Sequence, residues 1–466
     1  MEYEEIMERL ERVVSEPVKP IPEDVLEKEK ERFFKIHSKS LELYEEAKEC
    51  IPGGVEHNLA TTKPFPLAMD RAKGYRMWDV DGNEYVDYLL CGAPIILGHH
   101  YEPLDNEIIK IISEKGPSTG LTSEYEILAA KKIIEHMPGV ESVRFLQSGT
   151  EADMAAIRIA RAATERQKVI KVGGSYHGWY DQYVWSLHIP GTGGLNSRGI
   201  PPSTFELLVE VKPNDFDGLE KAFLDNKGEI AALVLEPVGG ESGVHPVHPD
   251  WNKRCRELCD EHEALLIFDE VVTGFRLDIG GAQKYFGIIP DLTILGKIIA
   301  HGYPSAGAVA GRKEYMDLLG MGMGQKPYIG GTLAANPISC GACYHAIRLI
   351  EETDAISKAT AFADRLVKEL NGLFATRPDL PFFLYNFGSI IHYVTTGFFS
   401  IDITGPKAME IFKRKDIAEE YQMVASNMGV NSLAGTRMYT CMQHDDEALE
   451  KTLKAWEYIL SLIPKG

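Results

Sequence analysis

The segment ALLIFDEVVTGFRLDIGGAQKYFGIIPDLTILGK, residues 264–297, contains two short apolar runs that decide the fold class. Leu265–Phe268 and Leu292–Leu295 have the length of a buried strand and are far too short to span a membrane. A charged residue follows each run, Asp269 directly and Lys297 after one glycine. Ligands bind beyond the carboxyl ends of the strands in a parallel sheet, so this pattern predicts a functional site there.

The alternation of strand and helix patterns continues on both sides of this segment, from about residue 125 to residue 311. In the helix predicted after Gly149, Ala152, Ala156 and Ile159 share one apolar face. Such alternation predicts an α/β fold with a mainly parallel central sheet. The candidate strands are Val143–Leu146, Val169–Val172, Ala231–Leu235, Leu265–Phe268, Leu292–Leu295 and Ala306–Ala310.

Four segments are predicted along the chain. Residues 1–50 are highly charged and form an N-terminal arm of one or two helices, which ends at a Pro-Gly-Gly turn. Residues 51–95 begin a small domain and include a hairpin. Residues 96–332 form the large domain, and residues 333–466 complete the small α/β domain.

Composition excludes several classes of protein. The 466 residues carry a net charge of −20, and no basic block is available for a nucleic acid. The acidic start, Met1–Arg12, has no apolar core and is not a secretory signal, while seven scattered cysteines indicate reduced thiols. We therefore expect a cytoplasmic protein with no membrane or nucleic-acid partner. No metal site is predicted, because the paired histidines lack carboxylates at ligand spacing.

Several polar residues coincide with the predicted strand ends. Ser148-Gly-Thr150 lies between a strand and a helix, where free N–H groups suit a phosphate, although an ordinary helix cap is the alternative. Asp269 at the mouth of an apolar sheet needs a cation as partner. Lys297 beside an apolar strand end would have a lowered pKa, which suits imine formation. Tyr176 offers a ring that could stack on a flat cofactor.

Together these motifs resemble the class III aminotransferases, enzymes of fold type I that use pyridoxal 5′-phosphate. Among them the chain resembles most the glutamate-1-semialdehyde aminomutase branch, from about Ile51 to the C-terminus. The matching segments are Ser148–Ala152, Tyr176–Gly178, Glu236–Val238, Asp269–Arg276, Pro290–Lys297 and Gly331–Pro337.

The resemblance implies a role for each matching residue. Lys297 would carry the cofactor as a Schiff base and then transfer protons, while Asp269 would keep the pyridine nitrogen protonated. Thr332 would reach the phosphate from the neighbouring subunit, which implies a homodimer with shared active sites. The other implied cofactor contacts are Ser148, Gly149 and Thr150 on the phosphate, and Tyr176, His177 and Val271 around the ring.

The substrate pocket departs from the aminomutase pattern. Ala60 stands where aminomutases carry the arginine for the substrate carboxylate, and Gly92-Ala-Pro94 stands where they carry Trp-Gly-Pro. Glu241 and Arg437 instead match the pair with which ornithine- and 4-aminobutyrate-type aminotransferases accommodate both of their substrates. We therefore expect an aminotransferase that moves an amino group from a β- or ω-amino acid, or its acyl thioester such as a 3-aminoacyl-CoA, to 2-oxoglutarate, giving glutamate.

Two other classes compete with this expectation. A glutamate-1-semialdehyde aminomutase, or an amino-acid racemase or epimerase, could use the same scaffold without a separate amino acceptor. A non-catalytic effector module of a transcription regulator would follow a basic winged-helix domain. The acidic arm before residue 50 cannot be such a domain, and the presence of Lys297 argues further against that class.

Overall fold

The computed structural model describes residues 1–57, 62–116, 120–320, 326–432 and 436–465. The helices are α1 (Tyr3–Ser15), α2 (Glu23–Ile36), α3 (Ser38–Cys50), α4 (Glu102–Lys115), α5 (Glu124–His136), α6 (Gly149–Thr164), α7 (Phe216–Asp225), α8 (Gly240–Gly243), α9 (Trp251–Glu261), α10 (Gly281–Phe286), α11 (Lys313–Met316), α12 (Pro337–Thr353), α13 (Ala355–Phe374), α14 (Glu410–Asn427) and α15 (Asp446–Leu462). The strands are β1 (Met69–Lys73), β2 (Arg76–Asp79), β3 (Glu84–Asp87), β4 (Ser142–Leu146), β5 (Lys168–Val172), β6 (Leu208–Val211), β7 (Ile230–Leu235), β8 (Leu265–Asp269), β9 (Leu292–Gly296), β10 (Gly307–Gly311), β11 (Phe383–Phe387), β12 (Ile390–Val394), β13 (Val430–Asn431) and β14 (Arg437–Tyr439).

Contacts divide the chain into two compact units. The large unit comprises residues 102–356 with 402–404, and the small unit comprises residues 1–101, 357–401 and 405–466. The domain boundaries that we placed after residues 95 and 332 remain a prediction. No helix in the described ranges combines the length and the apolar character that crossing a bilayer requires.

The large unit is built on a seven-stranded sheet with the order β4-β10-β9-β8-β7-β5-β6. Strand β10 is antiparallel to both of its neighbours, and the other pairs from β9 to β6 are parallel. The carboxyl ends of β4, β5, β7, β8 and β9 consequently lie along one edge of the sheet. This arrangement confirms the predicted α/β fold with a mainly parallel central sheet.

Helices cover both faces of this sheet, which is why β7, β8 and β9 are buried along their whole length. On one face, the alanine-rich side of α6 packs against the sheet through Ala152, Ala156 and Ile159. On the other face, Cys255 and Leu258 of α9 pack against the opposite side chains of the same strands. Because alanines project little, α6 approaches the strands closely, and its first turn comes to lie at the edge with the carboxyl ends.

The small unit contains a four-stranded sheet, β1-β2-β3-β13, and a three-stranded sheet, β11-β12-β14. Helix α1 covers the three-stranded sheet, because Ile6, Leu10 and Val13 pack against Phe383 and Tyr385. Burying each of these aliphatic side chains contributes up to about 1.5–3 kcal/mol. The start of the chain is therefore an integral part of this unit.

The structure differs from the sequence-based expectations in some elements. The arm contains three helices where we expected one or two, because His37 leaves helical geometry (φ −122°, ψ 35°) between α2 and α3. The strand expected at Ala306–Ala310 runs one residue later, over Gly307–Gly311. Strand β6 was not predicted, since it is an edge strand whose only fully buried residue is Val211.

Candidate functional site

The first turn of α6 lies at the carboxyl edge of the large sheet. Ser148 caps the helix, because its Oγ accepts a hydrogen bond from the N–H of Glu151 at 3.2 Å. The next two residues, Gly149 and Thr150, belong to the helix start, where backbone N–H groups have no partner within the helix. Such groups, together with the positive end of the helix dipole, bind an anion such as phosphate.

Glycine in strand β10 allows Ser148 to occupy its position. Gly307 pairs with Leu146 of β4 on one side and with Gly296 of β9 on the other. A Cβ atom at Gly307 would lie 2.3 Å from the carbonyl oxygen of Ser148, so any side chain there would displace the cap. Strand β10, between β4 and β9, therefore needs a residue without a side chain at the position next to the start of α6.

Val271, two residues after β8, lies against two glycines of the same edge. A Cβ at Gly149 would come within 2.9 Å of the Val271 side chain, and a Cβ at Gly296 would come within 3.1 Å. Val271 therefore reaches both the start of α6 and the end of β9. It is partly exposed, as expected of a side chain that lines an open pocket.

Asp269 ends β8 and is buried, with 5% of its surface exposed. Its Oδ1 accepts the N–H of Val271 at 3.0 Å, and its Oδ2 lies 2.7 Å from Nδ1 of the fully buried His177. Burial lowers the pKa of His177, although the neighbouring carboxylate opposes that effect. A neutral His177 would therefore donate its Nδ1–H to Asp269.

Lys297 follows β9 directly and is partly exposed. Its φ of 46° lies in the left-handed region, which is uncommon for a lysine and often marks a functional position. Burial and the charges of Asp269 and Glu236 raise the pKa of Asp153, and the charge of Lys297 opposes that rise.

A buried glutamate fixes the segment that carries Tyr176. Oε1 of Glu236 accepts the N–H groups of Tyr176 and Glu241, each at 2.9 Å, and Oε2 accepts the N–H of Ser242 at 2.6 Å. Burial and the nearby Asp269 and Glu241 raise the pKa of Glu236, while the N–H donors lower it. The backbone at Tyr176 is thereby tied to the turn after β7.

The side chains of Tyr176, His188 and Glu241 form a group of their own. The Tyr176 and His188 rings are stacked, with centroids 5.9 Å apart and an interplanar angle of 12°. Nδ1 of His188 contacts Oε1 of the buried Glu241, whose backbone is left-handed with φ 56°. Burial raises the pKa of the Tyr176 hydroxyl, so this ring stays neutral in the working pH range.

Two further predicted site residues, Thr332 and Arg437, belong to the turn before α12 and to strand β14. Thr332 is exposed in the turn before α12, where a Cβ at Gly331 would meet Nε2 of Gln147. Arg437 belongs to the small unit, where it is buried in β14 opposite His392 of β12. Burial raises the pKa of Tyr385 in the same sheet, and the charge of Arg437 opposes that rise. Ala60 lies outside the described residues.

The assembled residues fit pyridoxal phosphate. The helix start offers N–H groups to a phosphate, and the buried Asp269 carboxylate would gain a partner in a protonated ring nitrogen. Lys297 supplies an amine at the same edge. Among the described residues, the buried Nε2 of His177 and Oδ1 of Asp153 have no hydrogen-bond partner, so both atoms can take part in a further polar contact.

Sequence reasoning gave no role to three residues that the structure brings to this edge. Asp153 interrupts the alanine-rich face of α6, and that interruption was a detectable signal. Glu236 begins the matching segment Glu236–Val238, but the three N–H groups that it accepts are brought together only by the turn after β7. His188 lies in an irregular segment, and nothing in the local sequence indicates its contact with Glu241.

Comparisons with known proteins agree on the family. The family model described as Aminotransferase class-III matches residues 59–381. The glutamate-1-semialdehyde 2,1-aminomutase of Methanocaldococcus jannaschii is 37% identical over 429 residues, covering 90% of this chain and 97% of that protein. The one of Archaeoglobus fulgidus is 35% identical over 419 residues, covering 90% and 98%. An omega-transaminase structure from Sphaerobacter thermophilus has a TM-score of 0.81 at 28% identity, covering 91% of this chain and 97% of that one.

These relatives contradict the expected amino transfer from a β- or ω-amino acid to 2-oxoglutarate. The curated relatives that align with 90% of this chain at 35–38% identity are named aminomutases. Our expectation relied on a few pocket positions, chiefly Ala60, Glu241 and Arg437. A carboxylate can be held by different cations or N–H groups, so the loss of one arginine does not decide the reaction. The Glu241 carboxylate moreover contacts His188, in the same unit.

Proposed function

The chain belongs to the class III aminotransferase family, and we propose that it is an aminomutase, which moves an amino group between neighbouring carbons of a single substrate. The observation that carries this proposal is the extended similarity to relatives named glutamate-1-semialdehyde 2,1-aminomutase. The substrate class is then a short α-amino aldehyde with a distal carboxylate. Such a reaction needs no separate amino acceptor.

The enzyme depends on pyridoxal phosphate, which supplies an electron-withdrawing ring that stabilises negative charge beside the substrate nitrogen. In our proposal Ser148, Gly149 and Thr150 hold the phosphate through the start of α6. Asp269 holds the proton on the ring nitrogen, and a carboxylate in this buried position favours that cation strongly.

Lys297 is the residue that we propose for proton transfer at the substrate. Its amine lies at the end of β9, next to the edge at which Asp269 ends β8. A shift of the amino group between two carbons requires a proton to leave one carbon and to be added at the other. One amine that first accepts and then returns the proton suffices for both steps.

Tyr176, Val271 and Glu241 complete the proposed pocket. Tyr176 covers one face of the ring and Val271 packs against the other, each held by the backbone contacts described above. Glu241 with His188 lies beside Tyr176 and forms the polar wall nearest the substrate. Arg437 stays our candidate for a substrate carboxylate.

We also propose a homodimer in which Thr332 reaches the phosphate of the neighbouring subunit. Thr332 is exposed in its own chain, and Tyr328 in the segment before it exposes 87% of its surface. Exposure of that extent for a large aromatic residue is typical of a surface that another chain covers. The mass of the holoenzyme in solution tests this assignment.

The direct test uses purified holoenzyme with glutamate 1-semialdehyde and no keto acid. We expect conversion to the isomer that carries the amine on C1 and the ketone on C2; because the two isomers have the same mass, they are separated by chromatography before detection by mass spectrometry. Lys297→Ala should abolish conversion, whereas Lys284→Ala, at an exposed ion pair with Asp278, should keep it. Turnover that requires 2-oxoglutarate and releases glutamate would contradict the proposal, as would no conversion under either condition.

A further inference from the structure

Three buried side chains meet beneath the proposed cofactor site. One ligand-type atom from each of Asp153, His177 and Asp269 lies within 4.8 Å of the other two. Their exposed fractions are 1%, 0% and 5%. Only the contact between His177 Nδ1 and Asp269 Oδ2, at 2.7 Å, is a formed hydrogen bond in this group.

Two other polar atoms of this group, on Asp153 and His177, are buried without a hydrogen bond to any described residue. In the described part of the chain, neither Oδ1 of Asp153 nor Nε2 of His177 has a hydrogen-bond partner, and both are buried. Each buried polar atom left in this state costs about 1–3 kcal/mol, so two neighbouring ones are expected to satisfy each other. Because one ligand-type atom of each residue lies within 4.8 Å of the others, side-chain rotation or one bridging water could link Asp153 to His177.

Such a bond requires a donor on one side and an acceptor on the other. Burial, followed by the charges of Asp269 and Glu236, raises the pKa of Asp153 well above its usual range. This direction favours the protonated form of Asp153, whose O–H can donate. Burial lowers the pKa of His177, so its ring is neutral and Nε2 can accept when Nδ1 carries the hydrogen.

We propose that Asp153 is a positioning residue, which donates to Nε2 of His177 and thereby fixes the tautomer that donates Nδ1–H to Asp269. The chain Asp153–His177–Asp269 would then orient the Asp269 carboxylate for the proposed contact with the ring nitrogen. This role goes beyond the proposed reaction, because it concerns the resting cofactor and holds for any chemistry that this fold performs.

Other charged and titratable groups surround this chain of side chains. Positive charge comes from Lys171 on β5 and from Lys297 after β9, and negative charge comes from the turn after β7. The groups that face Asp153 or His177 are Asp269, Glu236, Glu241, Lys171, Lys297 and the phenol of Tyr183, whose ring lies 5.1 Å from that of His177.

The test compares Asp153→Asn and Asp153→Ala without substrate. The dissociation constant for pyridoxal phosphate and the pH midpoint of the bound cofactor's visible spectrum are measured for each holoenzyme. Asparagine keeps an N–H donor toward His177, so we expect values within twofold and within a few tenths of a pH unit of wild type. Alanine removes the donor, and we expect binding about tenfold weaker and a midpoint moved by about one unit.

Three results would overturn the proposal. Wild-type values for Asp153→Ala would show that Asp153 does not act on the cofactor. Equal damage in both variants would show that Asp153 acts as an anion and not as a donor. A stoichiometric divalent ion in the purified holoenzyme, lost in both variants, would show that the three groups bind a metal. Circular dichroism and thermal unfolding establish that each variant is folded, and the absence of substrate separates this test from the test of the proposed function.

Discussion

Gly307→Ala tests whether strand β10 shapes the phosphate site. The new Cβ would lie 2.3 Å from the carbonyl oxygen of Ser148, whereas an unstrained carbon–oxygen contact needs more than about 3 Å. Ser148 and the helix start would therefore move by about 1 Å. The same strand offers a matched control, because a Cβ at Gly311 would lie 2.4 Å from the carbonyl oxygen of Asp291, at the opposite end of β10.

The two substitutions should differ in cofactor binding and agree in stability. Overpacking of this kind destabilises a protein by about 1–3 kcal/mol, and both variants should unfold at a lower temperature. Only Gly307→Ala displaces N–H groups that hold the phosphate. Weakening one or two charge-assisted hydrogen bonds by about 1.5–3 kcal/mol corresponds to a dissociation constant about tenfold to a hundredfold higher.

The assay is equilibrium binding of pyridoxal phosphate to the apoenzyme of each variant, with thermal unfolding measured in parallel. Gly311→Ala should bind within twofold of wild type. Wild-type affinity in a folded Gly307→Ala protein would refute the reasoning, and so would an equal loss of affinity in both variants, because that loss would reflect general damage.

Three further predictions concern stability and the ring nitrogen. Arg414→Ala should lower the free energy of unfolding by about 3–5 kcal/mol, because this fully buried guanidinium donates to carbonyl groups at the end of α1 and to the Glu410 carboxylate. Thermal unfolding and limited proteolysis of α1 measure the effect, and Lys413→Ala, at an exposed neighbouring position, is the control. Burial lowers the pKa of His444 to about 4, so between pH 6.5 and 4 the unfolded chain binds a proton that the folded chain does not. The free energy of unfolding should therefore fall by about 3 kcal/mol as the pH falls through this window. In His444→Phe the unfolding temperature should depend less on pH over the same window, and an unchanged slope would refute the shift. Asp269→Asn should keep the fold and the bound cofactor but lose most of the turnover, and an unimpaired rate would mean that another group holds the ring nitrogen.

The central fold was predictable because its strongest signals are local. Runs such as Leu265–Phe268 are apolar throughout, and only a strand covered on both faces explains them. Strand β6 gave no such signal. Its Glu210 accepts hydrogen bonds from Nε1 of Trp185 and Oγ of Ser186, which lie in a loop. A charged residue in this short strand makes its sequence resemble that of a loop.

The site was predictable only where its chemistry coincides with a strand end. Asp269 and Lys297 each follow an apolar run, and their residue types alone indicate a cation partner and an amine. The fold brings Asp153 and His188 close to their contacts from distant positions in the chain, and no local pattern encodes that proximity. The substrate expectation was wrong for a related reason, because a pocket is a set of contacts and single positions do not define it.

The attachment of pyridoxal phosphate to Lys297 is the central claim, and one measurement tests it directly. Borohydride reduction of the holoenzyme, followed by proteolysis and mass spectrometry, locates the lysine that bears the cofactor. The structure offers a competitor in Lys171, whose pKa burial lowers to about 8, but its ammonium group donates to the carbonyl oxygens of Tyr183 and Trp185. We predict that the added mass is on the peptide that contains Lys297. Added mass on Lys171, or on no peptide, would contradict the account.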